Sequence, residues 1–212
     1  MSTWLQYPDL TFDEDKHLYL WHNRPIKSVT QVLSSVGTRD QKGNWSPLGF
    51  DDRWIRDTTA ADFGTAFHKV AAIILKGSTP NYPPVMEPWV RQLYRFLAEY
   101  NPEPVEDLGG NPLIEYPMYS VKFRYAGTPD LVCEMGKDIY LLDWKTSTAD
   151  TAHWGIQLSA YEKLIKEVLG VKKKIHRMTV RFGELSYHVK RWTNPSDWAM
   201  FQSALNVSKL AA

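Results

Sequence analysis

The chain has 212 residues, with 25 Lys and Arg against 24 Asp and Glu, a formal net charge of +1, 43% hydrophobic residues and one cysteine. This is the composition of an ordinary soluble globular protein long enough to bury a sizeable core. A single cysteine excludes an internal disulfide framework, a four-cysteine zinc site and a cysteine-ligated iron–sulfur cluster, and it fits a reducing cytoplasmic compartment; the balanced charge argues against a non-specific polycation.

Residues Met1 to Phe12 show no basic start followed by an apolar run, so no secretory signal is expected. The longest clearly apolar stretch, Val70 to Leu75, is far too short for a membrane span. Leu10–Phe12 and His17–Trp21 read as two strands around an acidic turn at 13–16, and Asn23-Arg24-Pro25 as a second turn. Ser28 followed three residues later by Gln31 is a capping box opening a short helix through Leu33. Gly37 to Pro47 is polar and loop-like. A helix is expected from about Trp54 to Leu75, with Phe63, Phe67, Val70 and Ile74 on one face. Pro80–Pro84 reads as a linker. Pro88 opens a helix whose Trp89, Leu93, Phe96 and Tyr100 share one side. After a loop over 101–111 the period changes, and Leu113–Val121, Ala126–Glu134 and Ile139–Lys145 read as strands. A helix over Thr151–Leu169 buries Trp154, Leu158, Tyr161, Ile165 and Val168 and ends at Gly170. Strands Ile175–Phe182 and Leu185–Trp192 pair across Gly183-Glu184, and Asn194-Pro195 leads into a last helix bearing Trp198, Phe201 and Leu205. Helices around a strand cluster indicate an α/β fold with a central mixed sheet, preceded by an N-terminal hairpin and helices.

The chemistry concentrates between Gly127 and Lys145. If Gly136-Lys137 is a two-residue type II′ turn, Asp130 opposes Asp143 across the hairpin, on the same face as Lys145, with Trp144 on the other. Opposed carboxylates about 5 Å apart repel by roughly 3 kcal/mol at an effective dielectric near 20. Lys145 offsets part of this. A hard divalent cation, Mg²⁺ or Mn²⁺, offsets more. A metal beside an ammonium suits phosphodiester hydrolysis, in which both stabilise added negative charge. The alternative is an exposed hairpin carrying a surface ion triad.

Thr128-Pro129-Asp130, then Asp143-Trp144-Lys145, then Gln157 and Tyr161 on the next helix resemble the PD-(D/E)xK nuclease superfamily. The likeness is to its RecB-like branch, with phage exonucleases and mitochondrial genome-maintenance exonucleases. Lys27 to Leu33 and Phe63-Gly64-Thr65-Ala66-Phe67-His68 support that branch, and the resemblance runs from about Phe12 to Trp192. It implies a restriction-endonuclease-like core in one domain over 1–212, with an N-terminal hairpin and helix (1–50), the core (51–192) and a C-terminal helix (193–212). It implies Asp130, Asp143, His68 and the Trp144 backbone carbonyl as metal ligands, and Lys145 as the residue that orients or activates the attacking water. Gln157 and Tyr161 would support the lysine or the DNA. The implied activity is a deoxyribonuclease, more an exonuclease than an endonuclease, in recombination, repair or phage replication in a bacterial or phage-infected cell. DNA, and possible recombination or replication proteins, would be its partners. Asp143 stands where many members carry Glu. Some members hold a four-cysteine iron–sulfur cluster, which Cys133 alone cannot build.

Other features are read from the residues. A helical side chain leans over the residue four positions earlier; for His68 that is Gly64, which leaves room for a ligand, and His68 lies off the apolar stripe. Tyr161 falls within its helix's apolar stripe, so core packing is an equal reading. Glu115 is either a carboxylate supporting the metal or a solvated strand residue, the latter favoured. Lys163 to Arg191 holds nine basic residues against two acidic ones, setting a +7 segment against a −6 remainder. Lys172, Lys173, Lys174, Arg177 and Arg181 in this strip, with Ser28, Thr30, Arg124, Thr146 and Ser147, are candidate DNA contacts; a solvated edge strand is the alternative. Trp45 and Trp144 are candidates to stack on bases. Rival readings are a structure-selective or restriction-like endonuclease and a non-catalytic DNA-binding module.

Overall fold

The computed structural model describes residues 9–13, 16, 18–39, 45–47, 58–170 and 172–210; the side chains of 38–39, 45–47, 58–61 and 168 lie outside that description. So do His17, the expected helix start at Trp54, the ring of Trp45 and the side chain of Val168.

Strands β1 (Leu10–Asp13), β2 (Leu18–Trp21) and β3 (Arg24–Ile26) form an antiparallel three-stranded sheet. His22 and Asn23 both take positive φ, 49° and 61°, as a tight two-residue turn matched to strand twist requires. Helix α1 (Val29–Ser34) opens on the expected capping box: the Gln31 N–H donates to Ser28 Oγ at 3.1 Å and the Ser28 N–H to Gln31 Oε1 at 2.9 Å. Within the segment expected as a loop, β4 (Gly37–Arg39) pairs with β5 (Trp45–Pro47). Strands of three residues are too short for alternation to register in sequence.

Helix α2 (Thr58–Leu75) connects through a 3-10 turn, Pro84–Met86, to α3 (Glu87–Tyr100), which stops at Asn101 with φ 43°. The expected loop that follows contains β6 (Glu103–Pro104), which joins the central sheet as its edge strand, the position where proline's missing N–H is tolerated. The expected strand 113–121 shrinks to β7 (Met118–Ser120), and Ala126–Glu134 divides into β8 (Tyr125–Gly127) and β9 (Leu131–Met135). The break is Thr128-Pro129-Asp130. Pro129 cannot donate to a ladder and restricts Thr128.

Strands β10 (Asp138–Lys145), β11 (Ile175–Phe182) and β12 (Tyr187–Trp192) complete a five-stranded sheet ordered β12-β11-β10-β9-β6. β10 and β11 are parallel and the other neighbours antiparallel, so the sheet is mixed. Helix α4 (His153–Leu169) makes the crossover that a parallel pair needs. The β11–β12 connection takes four residues, Gly183 to Ser186, rather than Gly183-Glu184 alone, and β12 starts at Tyr187. Helix α5 (Asp197–Leu210) closes the fold.

Alternation along β10 sorts two cores. Ile139 and Leu141 pack with Val32, Leu158 and Phe201 from α1, α4 and α5. Leu142 and Trp144 pack with Phe67 and Phe96 from α2 and α3. Trp144 is 1% exposed, its ring 5.8 Å from those of Phe96 and Phe182. It is a core residue, and stacking on a base is closed to it. Among the described residues no helix is long and apolar enough to cross a membrane.

Candidate metal centre

The hairpin register matches the expected one. Leu142 opposes Leu131 and Ile139 opposes Glu134 across Gly136-Lys137, with Gly136 at φ 67°. One step further, Asp130 and Asp143 fall on the α4 face of the sheet. At Asp130, however, the chain leaves the ladder. Its carbonyl accepts the Glu115 N–H at 3.0 Å, and its Oδ2 accepts the Trp144 N–H at 2.6 Å. Trp144 thus meets the cluster through its amide. Asp130 is 5% exposed and Asp143 2%, which overturns the reading of a surface ion triad.

His68 reaches this point from α2, on the other face of the sheet. Its Nδ1 lies 3.1 Å from Asp130 Oδ1 and 3.7 Å from Glu115 Oε1. Ligand atoms of His68, Glu115 and Asp130 all lie within 4.8 Å of one another, so these three could hold a metal ion. Glu115 is therefore not the solvated strand residue expected. It sits at φ 48°, a conformation unfavourable for a residue with a Cβ, held by its amide bond to Asp130. Gly64 serves differently from expectation: a Cβ there would come within 3.3 Å of Thr146 Oγ1, so the glycine lets α2 approach the end of β10.

Asp143 stands beside this trio, turned toward Lys145, whose Nζ lies 2.6 Å from Asp143 Oδ2. Lys145 Nζ donates to Gln157 Oε1 at 3.4 Å, and Gln157 Nε2 donates to the Tyr161 hydroxyl at 3.2 Å. The Trp154 ring lies under the ammonium at 5.4 Å, a contact sequence reasoning missed. Tyr161 is both core and network: its ring fills the space that a Cβ on Gly127 would need. Tyr19 Oη, 2.6 Å from Thr128 Oγ1, ties β2 to the strand break.

Burial pushes the Glu115 carboxyl up to about 7, with the Asp130 charge adding to it and His68 opposing. Burial also raises Asp143; Lys145 pulls it back and Asp130 adds to the rise. For His68, burial disfavours the cation, but the Asp130 charge and the bonds to Asp130 and Glu115 prevail and raise it to about 10. Glu115 Oε1 is buried without a hydrogen-bond partner among the described residues, whereas Asp143 Oδ2 is taken by the Lys145 ammonium at 2.6 Å. An orphaned Glu115 oxygen beside the Asp130 carboxylate and an imidazole belongs to a donor set that fits a hard or borderline divalent cation.

The candidate DNA contacts scatter. Ser28 is buried, and its hydroxyl is spent on capping and on Thr30 Oγ1 at 2.9 Å. Thr146 follows directly on β10, and the exposed Ser147 bonds the Ala149 carbonyl at 3.3 Å. Arg124 is exposed in the β7–β8 turn with φ 60°. Lys172, Lys173 and Lys174 are exposed but precede Ile175, which pairs with Ile139; the carboxylates lie near the Lys145–Arg181 end of the same parallel pair. Six residues of strand separate the two ends by roughly 20 Å. Arg181 is tied to Asp150 at 3.2 Å and to the Thr148 carbonyl at 3.0 Å.

Arg177 is a correction. Its buried guanidinium donates to Asp197 at 2.9 Å and to the carbonyls of Gly155 and Asn194 at 3.1 Å, and it pairs with Glu162 at 3.4 Å. It bolts α4 and α5 to the sheet and offers nothing to a phosphate. Arg177→Ala is expected to cost about 3 kcal/mol or more in urea unfolding, because it leaves Asp197 buried and unpaired. The salt dependence of any nucleic-acid binding should stay as in the parent.

No protein-family model and no curated protein sequence matches this chain. Among solved structures it is similar to SSO0001, at 15% identity and a TM-score of 0.38, over 69% of this chain and 68% of that one. It is also similar to a candidate exonuclease from Eubacterium rectale, at 10% identity and a TM-score of 0.36, over 71% and 69%.

Proposed function

We propose that this chain is a divalent-metal-dependent deoxyribonuclease of the PD-(D/E)xK type, acting as an exonuclease from a restriction-endonuclease-like core. The observation that carries the reading is the cluster of His68, Glu115 and Asp130, with ligand atoms all within 4.8 Å of one another, directly beside a lysine that is itself held by Asp143 and Gln157. His68, Glu115 and Asp130 would hold the cation, with Asp143 adjoining. Bound there, Mg²⁺ or Mn²⁺ would supply Lewis-acid polarisation of the phosphate and activation of the nucleophile.

The chain's own residues do the rest. The Trp144 amide and His68 fix the two oxygens of Asp130 and so orient it. Asp143 and Gln157 hold Lys145 as a fixed cation, which stabilises charge added at phosphorus without reorganising. The Trp154 ring shields that ammonium from water on one side. Tyr161 holds Gln157 in place.

Incubating the protein with end-labelled linear DNA and covalently closed circles, under Mg²⁺, Mn²⁺ or EDTA, tests the reading. Divalent-dependent loss of linear DNA alone is the expected result. Cleavage of circles would make it an endonuclease, and inertness under every divalent ion would leave a binding module.

A further inference from the structure

The loop between β10 and α4 lies over a pair of cations beside the carboxylate cluster. Residues 146–152 leave β10 directly after Lys145 and enter the helix that carries Trp154 and Gln157, both in contact with the Lys145 ammonium. Across the parallel pair, Arg181 is the partner of Lys145 and Thr179 that of Asp143. Lys190 in turn is the partner of Thr179. Partners on neighbouring strands point the same way, as do residues two apart on one strand. Asp143, Lys145, Arg181 and Lys190 therefore share the α4 face of the sheet. β11 lies about 5 Å and β12 about 10 Å from β10.

Asp150 closes over this pair. Its Oδ1 accepts from Arg181 Nε at 3.2 Å and its Oδ2 meets Lys190 Nζ at 3.3 Å, one oxygen to each cation. Arg181 Nη1 also donates to the Thr148 carbonyl at 3.0 Å. Among the described residues, these are the hydrogen bonds and ion pairs that tie residues 147–150 to the sheet. Residues 147–150 are exposed, and ion pairs at such a surface contribute little. Lys190 has support of its own: its ammonium lies 4.2 Å from the centroid of the Trp192 ring, whose indole N–H donates to Thr179 Oγ1 at 3.0 Å.

We infer that Asp150 occupies a phosphate subsite: Arg181 and Lys190 take a phosphodiester of a nucleic-acid strand that runs from the metal centre across β11 and β12, and Asp150 holds the place until that strand displaces it. A phosphodiester, like a carboxylate, offers one negative charge over two oxygens, which matches a guanidinium and an ammonium set side by side. The exchange of charge is one for one. The strand's advantage is the release of its condensed counterions, which Asp150 lacks. Contacts of this kind position the strand and carry no base preference. The choice of nucleic acid as the source of the phosphate rests on the nuclease reading; the binding does not require cleavage.

Anisotropy of fluorescein-labelled duplex DNA, titrated in EDTA at several salt concentrations, tests the inference. Arg181→Gln with Lys190→Gln should bind about tenfold or more weakly, with a salt slope smaller by about 1, as the loss of one neutralised phosphate requires. Asp150→Asn should bind about threefold to tenfold more tightly, because the subsite is then open before the strand arrives. Asp138→Asn makes the same change of charge at the opposite end of β10 and should bind as the parent does. A double variant with the parent's affinity and slope would overturn the inference. So would an Asp150→Asn protein that binds no more tightly than Asp138→Asn, which would make Asp150 a structural tie. Inorganic phosphate that raises the melting temperature of the parent but not of the double variant, with DNA affinity equal in both, would overturn nucleic acid as the ligand. Equal binding and equal Mn²⁺-dependent cleavage of linear DNA by the parent and the double variant would sink the subsite and leave the nuclease standing. Subsite-dependent binding without cleavage under any divalent ion would do the reverse.

Discussion

In a Lys145→Met protein, divalent-dependent DNA hydrolysis should fall by about 10²–10³-fold while the cation is still bound, and in Asp143→Asn both should be lost. The two residues touch at 2.6 Å, yet their different surroundings predict different effects. Lys145 contacts Asp143, Gln157 and the Trp154 ring, and lies outside the trio of His68, Glu115 and Asp130. Removing its charge therefore leaves the ligand set in place and removes one preorganised donor, a loss of the size expected for such donors. Asp143 is buried beside the trio, and its charge interacts with those of Asp130, Glu115 and His68. Asparagine keeps the shape but not the charge. Metal binding is read as the rise in melting temperature with added Mn²⁺ and activity as release of labelled nucleotides. A Lys145→Met protein that loses the metal-dependent rise, or keeps its parent rate, would contradict this division. Gln157→Leu should show a milder loss in rate with no change in metal binding, because it only steadies the lysine.

The parts of this site that sequence made legible are those set by local rules. The Asp130–Asp143 register follows from a two-residue glycine turn, since pairing propagates from the turn one residue at a time. The helical spacing of Gln157 and Tyr161 puts them on one face, and the structure bonds them at 3.2 Å. His68 was visible as a polar residue off an apolar stripe. Glu115 was hidden because no regular element places it: a left-handed backbone and a bond to the Asp130 carbonyl do. The one local cue was an acid between Ile114 and Tyr116, both of which the core buries. Arg177 misled for the opposite reason. Charge counted along a chain carries no record of its partners, and those of Arg177 come from two other segments, helix α4 at Gly155 and Glu162 and the entry to α5 at Asn194–Asp197. Within the strip from Lys163 to Arg191, Lys172 to Lys174 lie at the end of the sheet far from the carboxylates, Arg181 is already paired near the cluster, and Arg177 is paired beneath α4 and α5.

Glu115→Gln should make the metal-free protein more stable than its parent at about pH 8, and less stable than its parent once Mn²⁺ is present. The carboxyl is raised from 4.5 to about 7, chiefly by burial and then by the Asp130 charge. A raised carboxyl binds its proton more tightly in the folded state. Its contribution is fully present below the unfolded value and is lost as pH rises through the folded one. Asp143 is raised as well and has the same sign. His68, raised to about 10, adds stability that is present below its ordinary value of 6.5 and disappears toward pH 10, so it too slopes downward. In EDTA the parent should therefore lose stability steadily on the alkaline side, and Glu115 alone accounts for up to about 3 kcal/mol of that loss between its two values. Glutamine carries no charge to repel Asp130, which removes this cost at about pH 8 and changes little near pH 4. A bound cation should reverse the order, because the ionised acid that burdens the empty cluster would be a ligand in the filled one. Free divalent ion at a hundred times its dissociation constant stabilises the parent by about 2.7 kcal/mol, and the variant gains less through its weakened site. Thermal melts of both proteins, with EDTA and with Mn²⁺ across this pH range, should show the two curves exchanging places. A Glu115→Gln protein that melts below its parent in EDTA at about pH 8 would mean that Glu115 is stabilised by its surroundings rather than held against them.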